Sequence, residues 1–341
     1  MASTGEPKTM RAWLYTTAAG GLEKSLKLSE APVKPVTKDQ VLVKVHSTSV
    51  NPVDYKVPEM GMLSKLVVST PAAPGLDFAG TIAEVGESVK AADAFRVGEK
   101  VFGRLDPQQY GTFGEYIIAK PDQVTSLPAG VSEGEASCVG TAGLTAYQSI
   151  VPHVKSGDKI FVNGGSGGTG TFCIQFAKVV GCHVTTSCSG KNVDLVKGLG
   201  ADEVIDYTKE NLTDTLKSMG QVFDHVVDNV GAPSDLYKAA DHYLKPNGKY
   251  IQVGGDMSLG AMKSLASRAM LPSFLGGGAR SYQFMMLKND PDQYVHIAKL
   301  LQEGKVKAVV EETFDFQNAP KAIEKIKTGR TRGNIVVQVS T

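Results

Sequence analysis

One glycine-rich stretch in the middle of the chain restricts the possible folds more than any other feature. The apolar run Lys159-Ile-Phe-Val-Asn163 precedes it, and is long enough for a buried strand but too short for a helix. The stretch Gly164-Gly-Ser-Gly-Gly-Thr-Gly170 holds two overlapping phosphate-loop spacings, G-x-G-x-x-G and G-x-x-G-x-x-G. Apolar residues then recur at helical spacing up to Val180, and Gly181 stands where a helix end favours a left-handed residue. This order of strand, glycine turn and helix is typical of a dinucleotide site, in which the pyrophosphate meets free N–H groups at the helix start.

Every residue of this turn is therefore a candidate cofactor ligand. These residues are Gly164, Gly165, Ser166, Gly167, Gly168, Thr169 and Gly170. After the turn, apolar strands alternate with helical segments up to residue 253, which predicts a doubly wound parallel sheet. Ligands bind such sheets at the carboxyl ends of the strands. Residues 258–278 are less regular in pattern, and 290–341 add two helices and two strands.

The first third of the chain has a different texture. Short β-branched segments are separated by Pro and Gly, which predicts an antiparallel β domain or a closed barrel. Ser132 with Glu135 three positions later is a helix-start signature, and a helical run over Ala136–Ile150 follows it.

Composition excludes several classes of protein. The chain has 341 residues, 42% hydrophobic, with a net charge of +1, so two domains with packed cores are expected and disorder is not. Neither nucleic acid nor a membrane surface is favoured by this charge, and no apolar run reaches the roughly 18 residues of a membrane span. The polar first nine residues lack a signal peptide's apolar core, and four cysteines form no disulfide framework. We therefore expect a cytoplasmic enzyme.

Several stretches, in a fixed order along the chain, carry a resemblance to a known family. They are Ser49-Val-Asn-Pro-Val-Asp-Tyr-Lys56, Pro74-Gly-Leu-Asp-Phe-Ala-Gly80, Gly111-Thr-Phe-Gly-Glu-Tyr116, Thr141-Ala-Gly-Leu-Thr-Ala146, the glycine turn, Ala201-Asp-Glu-Val-Ile-Asp-Tyr207 and Gly329-Arg-Thr-Arg-Gly-Asn-Ile335. With them the chain resembles the medium-chain dehydrogenase/reductase superfamily, and within it the zinc-free quinone oxidoreductase branch, which includes enone reductases and trans-acting enoyl reductases. The resemblance implies a GroES-like β-barrel catalytic domain (1–131, completed by 286–341) and a Rossmann domain (132–285). It also implies a substrate cleft between the domains and suggests a homodimer, although monomeric relatives exist.

Zinc divides this superfamily. The zinc-dependent relatives have a cysteine where this chain has Asn51, and a His-Glu pair where it has Leu76-Asp77. A catalytic zinc needs three protein ligands and a structural zinc needs four, yet no cysteine precedes Cys138. We expect no metal site.

The cofactor type is predicted from the strand after the glycine turn. An NAD site usually places Asp or Glu about 20 residues on, whereas Thr185-Thr-Ser-Cys-Ser-Gly-Lys-Asn192 holds no acid. The hydroxyl donors and the cation in this stretch suit the 2′-phosphate of NADPH, and they are Ser187, Ser189 and Lys191. Tyr207 matches the tyrosine that closes over this phosphate in the quinone reductases. The alternative for Lys191 alone is a solvated lysine at a helix start.

Further cofactor contacts are implied at later positions. Asn229 ends the fourth strand, and Val253 and Gly254 end the fifth, where the family uses mainly backbone groups around the ribose and nicotinamide. Ordinary strand-to-helix turns are the alternative. Asn334 lies where many relatives have lysine, which puts its cofactor contact in doubt.

The reacting end is assigned from the family pattern N-x-x-D-x-K, which lies beside the nicotinamide. Asn51 is a candidate ligand of the ribose or of the substrate carbonyl, and Lys56 orients the ribose hydroxyl or relays a proton. Asp54 positions Lys56, and a loop salt bridge is the alternative for the whole pattern. Thr141 matches a nicotinamide-side threonine or caps the helix that follows. Tyr55 is a candidate substrate-stacking residue, with a core position as the alternative.

Three functions remain open from the sequence. The first is NADPH-dependent reduction of activated C=C bonds in small enones, enals or quinones. The second is a trans-acting enoyl reductase of a polyketide pathway, which needs a larger cleft and a carrier-protein surface. The third is an NADPH-binding protein with a structural or regulatory role and no turnover.

Overall fold

The computed structural model describes residues 8–255 and 280–340. The irregular stretch predicted at 258–278 therefore lies outside the described residues. Two compact units divide the chain: residues up to 144 together with those from 288 onward, and residues 145–287. The domain boundaries that the resemblance implies, at 131/132 and 285/286, stay a prediction.

The elements are numbered here in chain order. The strands are β1 (Thr9–Leu14), β2 (Lys27–Pro32), β3 (Val41–Val50), β4 (Asp77–Val85), β5 (Lys100–Arg104), β6 (Tyr116–Ala119), β7 (Val124–Ser126), β8 (Lys159–Asn163), β9 (His183–Cys188), β10 (Glu203–Asp206), β11 (Phe223–Asp228), β12 (Leu244–Gln252), β13 (Ser281–Phe284), β14 (Val310–Asp315) and β15 (Asn334–Gln338). The α-helices are α1 (Leu22–Ser25), α2 (Pro52–Lys56), α3 (Glu87–Ala91), α4 (Glu133–Ser137), α5 (Leu144–Ile150), α6 (Gly168–Val180), α7 (Val193–Gly198), α8 (Leu212–Met219), α9 (Ala240–Tyr243), α10 (Pro291–Gln302) and α11 (Ala319–Lys327).

The first unit is built on a β-sheet in the order β14-β15-β3-β4-β5-β7, with β6 also paired to β3. All pairs are antiparallel except β14 with β15, so the predicted antiparallel β domain is confirmed. Along β3, buried Val43 and Val45 alternate with half-buried Lys44 and His46, which is the pattern of a strand with one face on a core. The C-terminal segment returns to this core, because β15 pairs with β3 and its Ile335 is fully buried.

The second unit is a parallel sheet in the order β10-β9-β8-β11-β12-β13. In sequence numbering within the unit this is 3-2-1-4-5-6, the order of a dinucleotide-binding sheet. The predicted doubly wound parallel sheet is confirmed. The strand order reverses between β8 and β11, and ligands bind outside the carboxyl ends of the strands at such a switch point.

The helix predicted over Ala136–Ile150 is interrupted. Ser132 does cap α4 by accepting from the Glu135 N–H at 3.2 Å, as predicted. After α4 the chain forms a wider π-type turn, Val139–Gly143, before α5 begins. The turn passes so close to β4 and β5 that a Cβ on Gly140 would lie 2.5 Å from Asp77 Oδ1 and 2.8 Å from the Gly103 carbonyl oxygen. Only glycine allows this approach, which brings the next residue onto Asp77.

One helix is shorter than its sequence predicts. Pro233 at a possible helix start predicts a helix over residues 234–244, whereas the structure has a 3₁₀ turn, Tyr237–Ala239, followed by α9. Strand β2 pairs with β1, and the three-residue strand β7 pairs with β5.

Candidate active site

The glycine turn forms the N-terminus of α6. Gly167 is the N-cap residue, and a Cβ built on it would meet nothing nearer than the Gly164 carbonyl oxygen at 3.7 Å. Gly170 is crowded instead: its Cβ would lie 2.1 Å from that oxygen and 2.8 Å from Gly165 Cα. Gly170 thus lets the helix pack on the turn, while Gly167 leaves space before the first N–H groups of α6, which have no partner within the helix. These properties fit a dinucleotide pyrophosphate.

A buried hydrogen-bond network supports this turn from below. Ser187 Oγ donates to Asn163 Oδ1 at 2.6 Å and accepts from the Gly164 N–H at 3.0 Å. Asn163 Nδ2 in turn donates to Asp228 Oδ1 at 2.8 Å, which joins β8, β9 and β11 at their carboxyl ends. Ser187 is fully buried. The structure therefore places Ser187 under the turn, and gives it a supporting role in place of the phosphate contact expected from the sequence.

The other residues expected at the 2′-phosphate are more accessible. Lys191 is exposed and forms no ion pair with any carboxylate in the described part of the chain, and Tyr207 is 54% exposed. Ser189 is half-buried, and its Oγ accepts from Asn192 Nδ2 at 3.3 Å. The same amide nitrogen of Asn192 donates to Ser166 Oγ at 3.0 Å. Asn192 thus ties the glycine turn to the connection after β9.

Sequence reasoning missed two residues here. Asn192 is almost completely buried and is the N-cap of α7, so an Asn before a helical run was the available signal. Asp206, at the end of β10, lies close to Gly190, where an added Cβ would be 2.5 Å from the Asp206 Oδ2. The Thr208 hydroxyl donates to Asp206 and is the main cause that holds the pKa of this carboxyl below its usual range. An acid is therefore present in this region, although it comes from the third strand of the unit and not the second.

The strand ends after β11 and β12 lie against each other. Asn229 Nδ2 donates to the Asn163 carbonyl oxygen at 3.1 Å, and its Oδ1 is buried without a donor among the described residues. A Cβ on Gly254 would lie 1.9 Å from the Asn229 carbonyl oxygen, so only glycine fits there. Val253 donates its N–H to the Asp228 carbonyl oxygen at 2.8 Å. The Asn229 oxygen is thus a buried acceptor at the carboxyl end of the sheet.

In the first unit, Asn51 and Thr141 converge on one carboxylate that sequence reasoning did not select as a site residue. Asp77 Oδ2 accepts from Asn51 Nδ2 at 2.8 Å and from the Thr141 N–H at 2.9 Å. Asp77 Oδ1 accepts from Thr141 Oγ1 at 2.6 Å. Asn51 Nδ2 also donates to the Ser49 carbonyl oxygen at 3.3 Å. The family pattern could have indicated Asp77, because it stands where the zinc-dependent relatives carry a metal ligand.

Two further charged residues belong to this cluster. Arg104 on β5 donates from Nε to Thr141 Oγ1 at 3.1 Å and is 5% exposed. Asp54 is fully buried and accepts the Asn51 N–H at 2.7 Å, while its Oδ1 has no donor among the described residues. Burial raises the pKa of Asp77 to about 6, against the opposing effects of the Thr141 hydrogen bond and the Arg104 charge. Burial, followed by the nearby Asp77 charge, raises the pKa of Asp54 well above its usual range.

The remaining predicted residues occupy different surroundings. Lys56 is half-buried at the end of α2, two positions after Asp54. Tyr55 is half-buried, and Lys327 Nζ lies 5.6 Å from the centre of its ring. Asn334 is buried, and its Nδ2 donates to the Val309 carbonyl oxygen at 3.0 Å. The structure gives Asn334 a supporting contact within the first unit.

Comparison with known proteins follows the same division of the chain. Residues 37–129 match a family model described as the alcohol dehydrogenase GroES-like domain, and residues 199–337 match one described as zinc-binding dehydrogenase. Trans-enoyl reductase pgmF of Aspergillus terreus is 46% identical, over 99% of this chain and 98% of that protein. The chain belongs to the medium-chain dehydrogenase/reductase superfamily.

Other relatives narrow the branch. The chloroplastic quinone-oxidoreductase homolog of Spinacia oleracea is 30% identical over 97% of this chain and 99% of its own. The solved quinone oxidoreductase from Coxiella burnetii is 30% identical with a TM-score of 0.85, and covers 98% of this chain and 100% of its own. The protein is a member of the zinc-free quinone oxidoreductase and enoyl reductase branch, as the resemblance implied. It is an oxidoreductase with a nicotinamide dinucleotide as cofactor.

The family model that matches residues 199–337 is described as zinc-binding dehydrogenase, which raises the question whether this medium-chain reductase holds zinc. Within residues 8–255 and 280–340, no group of three or more His, Cys, Asp or Glu side chains is arranged to hold a metal. Asn51 and Asp77, at the positions of zinc ligands in other branches, are hydrogen bonded to each other. The absence of a functional metal stays a prediction.

In the described ranges of this medium-chain reductase, no helix has the length and apolar character needed to cross a membrane. The cytoplasmic location expected from the sequence stays a prediction.

Proposed function

We propose that this protein is an NADPH-dependent reductase of conjugated C=C bonds in enones or enals, or of quinones, and that it works without a metal. The Asn51–Asp77–Thr141 cluster carries the proposal. It replaces a set of zinc ligands by amide, carboxylate and hydroxyl groups that satisfy one another. Polarisation of a simple alcohol or isolated ketone by zinc is then unavailable, whereas conjugated acceptors are electrophilic enough to react with hydrogen-bond assistance.

In this reaction the protein forms no covalent bond with the substrate. A reduced nicotinamide supplies a hydride when it is bound. The substrate receives this hydride at its β-carbon, negative charge develops on its oxygen, and water protonates the α-carbon. The protein's contributions are orientation of the two reactants and hydrogen-bond donors at the oxygen.

The donors at the reacting end differ from those expected at first. Both amide hydrogens of Asn51 point to protein acceptors, Asp77 and the Ser49 carbonyl oxygen. Asn51 therefore has only its Oδ1 to offer, and we assign it to accept from a ribose hydroxyl of the cofactor. Lys56 is retained as a donor or proton relay, with Asp54 upstream on the same helix. Tyr55 is retained as a substrate-stacking residue.

Preference for NADPH is assigned to the accessible groups after β9 and β10. Lys191 supplies the charge, Ser189 and Ser166 supply hydroxyl groups, and Tyr207 offers an exposed ring beside them. A 2′-phosphate near Lys191 makes charge-assisted hydrogen bonds, which are stronger than neutral ones. Asp206 opposes this preference by its charge, and its own hydrogen bonds with Thr208 hold it in place.

A substrate panel tests the proposal. Enones, enals, quinones, saturated ketones and alcohols are assayed with NADPH and with NADH, and the products are identified. The proposal expects saturated carbonyl products or hydroquinones, and no turnover of saturated ketones. Reduction of the carbonyl with the C=C bond intact would contradict it, and inactivity on the whole panel would favour the non-enzymatic, NADPH-binding alternative.

A second candidate is a trans-acting enoyl reductase of a polyketide pathway. It is favoured by the 46% identity, over nearly the full length, to a protein named as a trans-enoyl reductase. Enoyl groups presented on an acyl carrier protein separate the two candidates from one another. A carrier-bound substrate reduced far faster than the same acyl group on a small thiol supports this second function. A homodimer also stays a proposal, for which light scattering is the direct measurement.

A further inference from the structure

The hydrogen-bond donors around Asp77 are almost all in use. Asn51 donates one amide hydrogen to Asp77 and the other to the Ser49 carbonyl oxygen. Thr141 donates both its N–H and its hydroxyl hydrogen to Asp77. A hydroxyl has one hydrogen to donate, so Thr141 has none left for a substrate. These two predicted catalytic residues therefore cannot supply a donor to a reacting oxygen in this arrangement.

Arg104 is the exception in the cluster. It lies on β5 directly opposite Asp77 on β4, in the antiparallel register of the two strands. Its Nε donates to Thr141 Oγ1 at 3.1 Å, which orients the guanidinium. The two terminal amino groups donate to no residue of the described chain, and no described carboxylate forms an ion pair with them. Only 5% of the residue is exposed.

This arrangement leaves charged donors available to a ligand. Arg104 is only 5% exposed, yet neither terminal nitrogen is among the described side-chain atoms that are both fully buried and without a partner, so these donors keep a small accessible surface. Asp77 and Asp54 compensate only over a longer distance, and the Arg104 charge opposes the burial effects that raise the pKa of both carboxyls. A guanidinium presents its N–H donors as a rigid planar fork, which matches an oxygen that carries negative charge.

We propose that Arg104 is a further catalytic residue, whose terminal N–H groups bind the carbonyl oxygen of the conjugated substrate and stabilise the charge that develops there. The proposal rests on the proposed reduction of C=C bonds. In that reaction the hydride and its electron pair form a C–H bond at the β-carbon, and the C=C electron pair moves to give an enolate. The nicotinamide is oxidised and the substrate reduced. Arg104 keeps its protons throughout, and water gives the α-carbon its hydrogen.

Arg104→Gln and Arg104→Lys test this role, with Arg96→Gln as control because Arg96 is an exposed arginine on the surface of the same unit. Loss of one oxyanion donor costs on the order of a hundredfold in kcat, so Arg104→Gln should lose about that much on an enone. The dissociation constant for NADPH should change far less than kcat, because the contacts with the charged phosphates are assigned to the glycine turn and Lys191. Arg104→Lys keeps the positive charge but lacks the planar guanidinium, so its kcat should lie between those of the wild type and Arg104→Gln. Added ethylguanidinium should restore part of the activity of Arg104→Ala, which a merely structural role does not predict.

Binding without turnover gives an independent readout. Hexanoate, whose carboxylate imitates an enolate oxygen, is titrated calorimetrically into the enzyme with NADP⁺. It should bind the wild type in competition with the enone, and roughly tenfold or more weakly to Arg104→Gln, since charged hydrogen bonds are involved. A folded Arg104→Gln with turnover within threefold of wild type and unchanged hexanoate affinity would overturn the proposal. If that variant does not fold, absence of competition between hexanoate and the enone on the wild type overturns it instead. If the wild type reduces no enone, the proposed function fails, yet Arg104-dependent hexanoate binding would still support the oxyanion site.

Discussion

Asn51 donates an amide hydrogen to Asp77 across 2.8 Å, although the two residues are 26 positions apart. Both stand where zinc-dependent members of the superfamily carry ligands. Here the amide and the carboxylate satisfy each other, and Thr141 adds two further donors to the same carboxylate. The cluster is therefore a preorganised hydrogen-bond network, which holds Asn51 and Thr141 in fixed orientations.

The first prediction is that the purified protein needs no metal for activity. An amide side chain is a poor zinc ligand, and Asp77 is already occupied by three donors. Elemental analysis should find less than stoichiometric zinc, and treatment with a chelator should leave the reduction rate unchanged. Stoichiometric zinc whose removal abolishes activity would contradict the account of this site.

The second prediction concerns the pH dependence of turnover. Burial raises the pKa of Asp77 to about 6, so Asp77 is ionised above that pH and protonated below it. Protonation removes the charge that holds the Thr141 and Asn51 donors. The titratable groups that face Asp77 there are Arg104 and Asp54, and the pKa of Asp54 is itself raised by burial. We expect kcat/KM of the wild type to decline below about pH 6. Asp77→Asn should show lower activity without this decline, and an acid limb that persists in Asp77→Asn would assign it to another group.

The third prediction concerns stability. Burial lowers the pKa of His225 to about 4, although its Nε2 lies 2.7 Å from the Ser149 carbonyl oxygen. The neutral form is favoured in the folded state, so this contribution to stability is present above about pH 6.5 and lost as the pH falls toward 4. A shift of this size corresponds to about 3 kcal/mol. Between pH 7 and 4, the wild type should lose about that much more unfolding free energy than His225→Gln.

Urea unfolding at several pH values measures this difference. Asp77, whose pKa is raised, acts with the opposite sign between about pH 4 and 6, since its ionisation disfavours the folded state. That contribution is common to wild type and His225→Gln, so it cancels in the comparison. Parallel pH profiles for the two proteins would show that His225 does not cause acid sensitivity.

The fourth prediction concerns the choice of cofactor. Lys191→Ala should weaken NADPH binding roughly tenfold or more, because a charged hydrogen bond to a phosphate is worth about 1.5–3 kcal/mol. NADH binding should hardly change. Lys197→Ala, which removes another exposed lysine from the same region, is the matched control. Equal weakening for both cofactors in Lys191→Ala would show that the lysine is only structural.

The cofactor fold was predictable because its determinants are local. Strand, glycine turn and helix follow one another without a gap, and Gly181 adopts the left-handed conformation expected at the end of α6. The reacting end depends on contacts between residues distant in sequence. Thr141 meets Asp77 across 64 positions, and this contact depends on a π-type turn in which Gly140 allows the close approach. No pattern in the sequence shows which donors such a cluster leaves unused, so Arg104 was not found.

Ser187 illustrates a different limit. Its position at the end of the second strand of the sheet matched the expected phosphate contact, and its chemistry was suitable. In a parallel sheet, however, both faces of a strand are covered, and a hydroxyl there can turn inward. The orientation was decided by Asn163 on the neighbouring strand, whose Oδ1 accepts the Ser187 hydrogen.

The most direct test of the central claim is to follow the hydride. NADPH carrying deuterium at C4 of the nicotinamide, labelled on each face in turn, is incubated with a simple enone, and the product is analysed by NMR and mass spectrometry. The account predicts a saturated ketone with one deuterium on the β-carbon from one of the two labelled cofactors, and hydrogen from water on the α-carbon. Deuterium on the carbonyl carbon of an allylic alcohol, with the C=C bond retained, would contradict it.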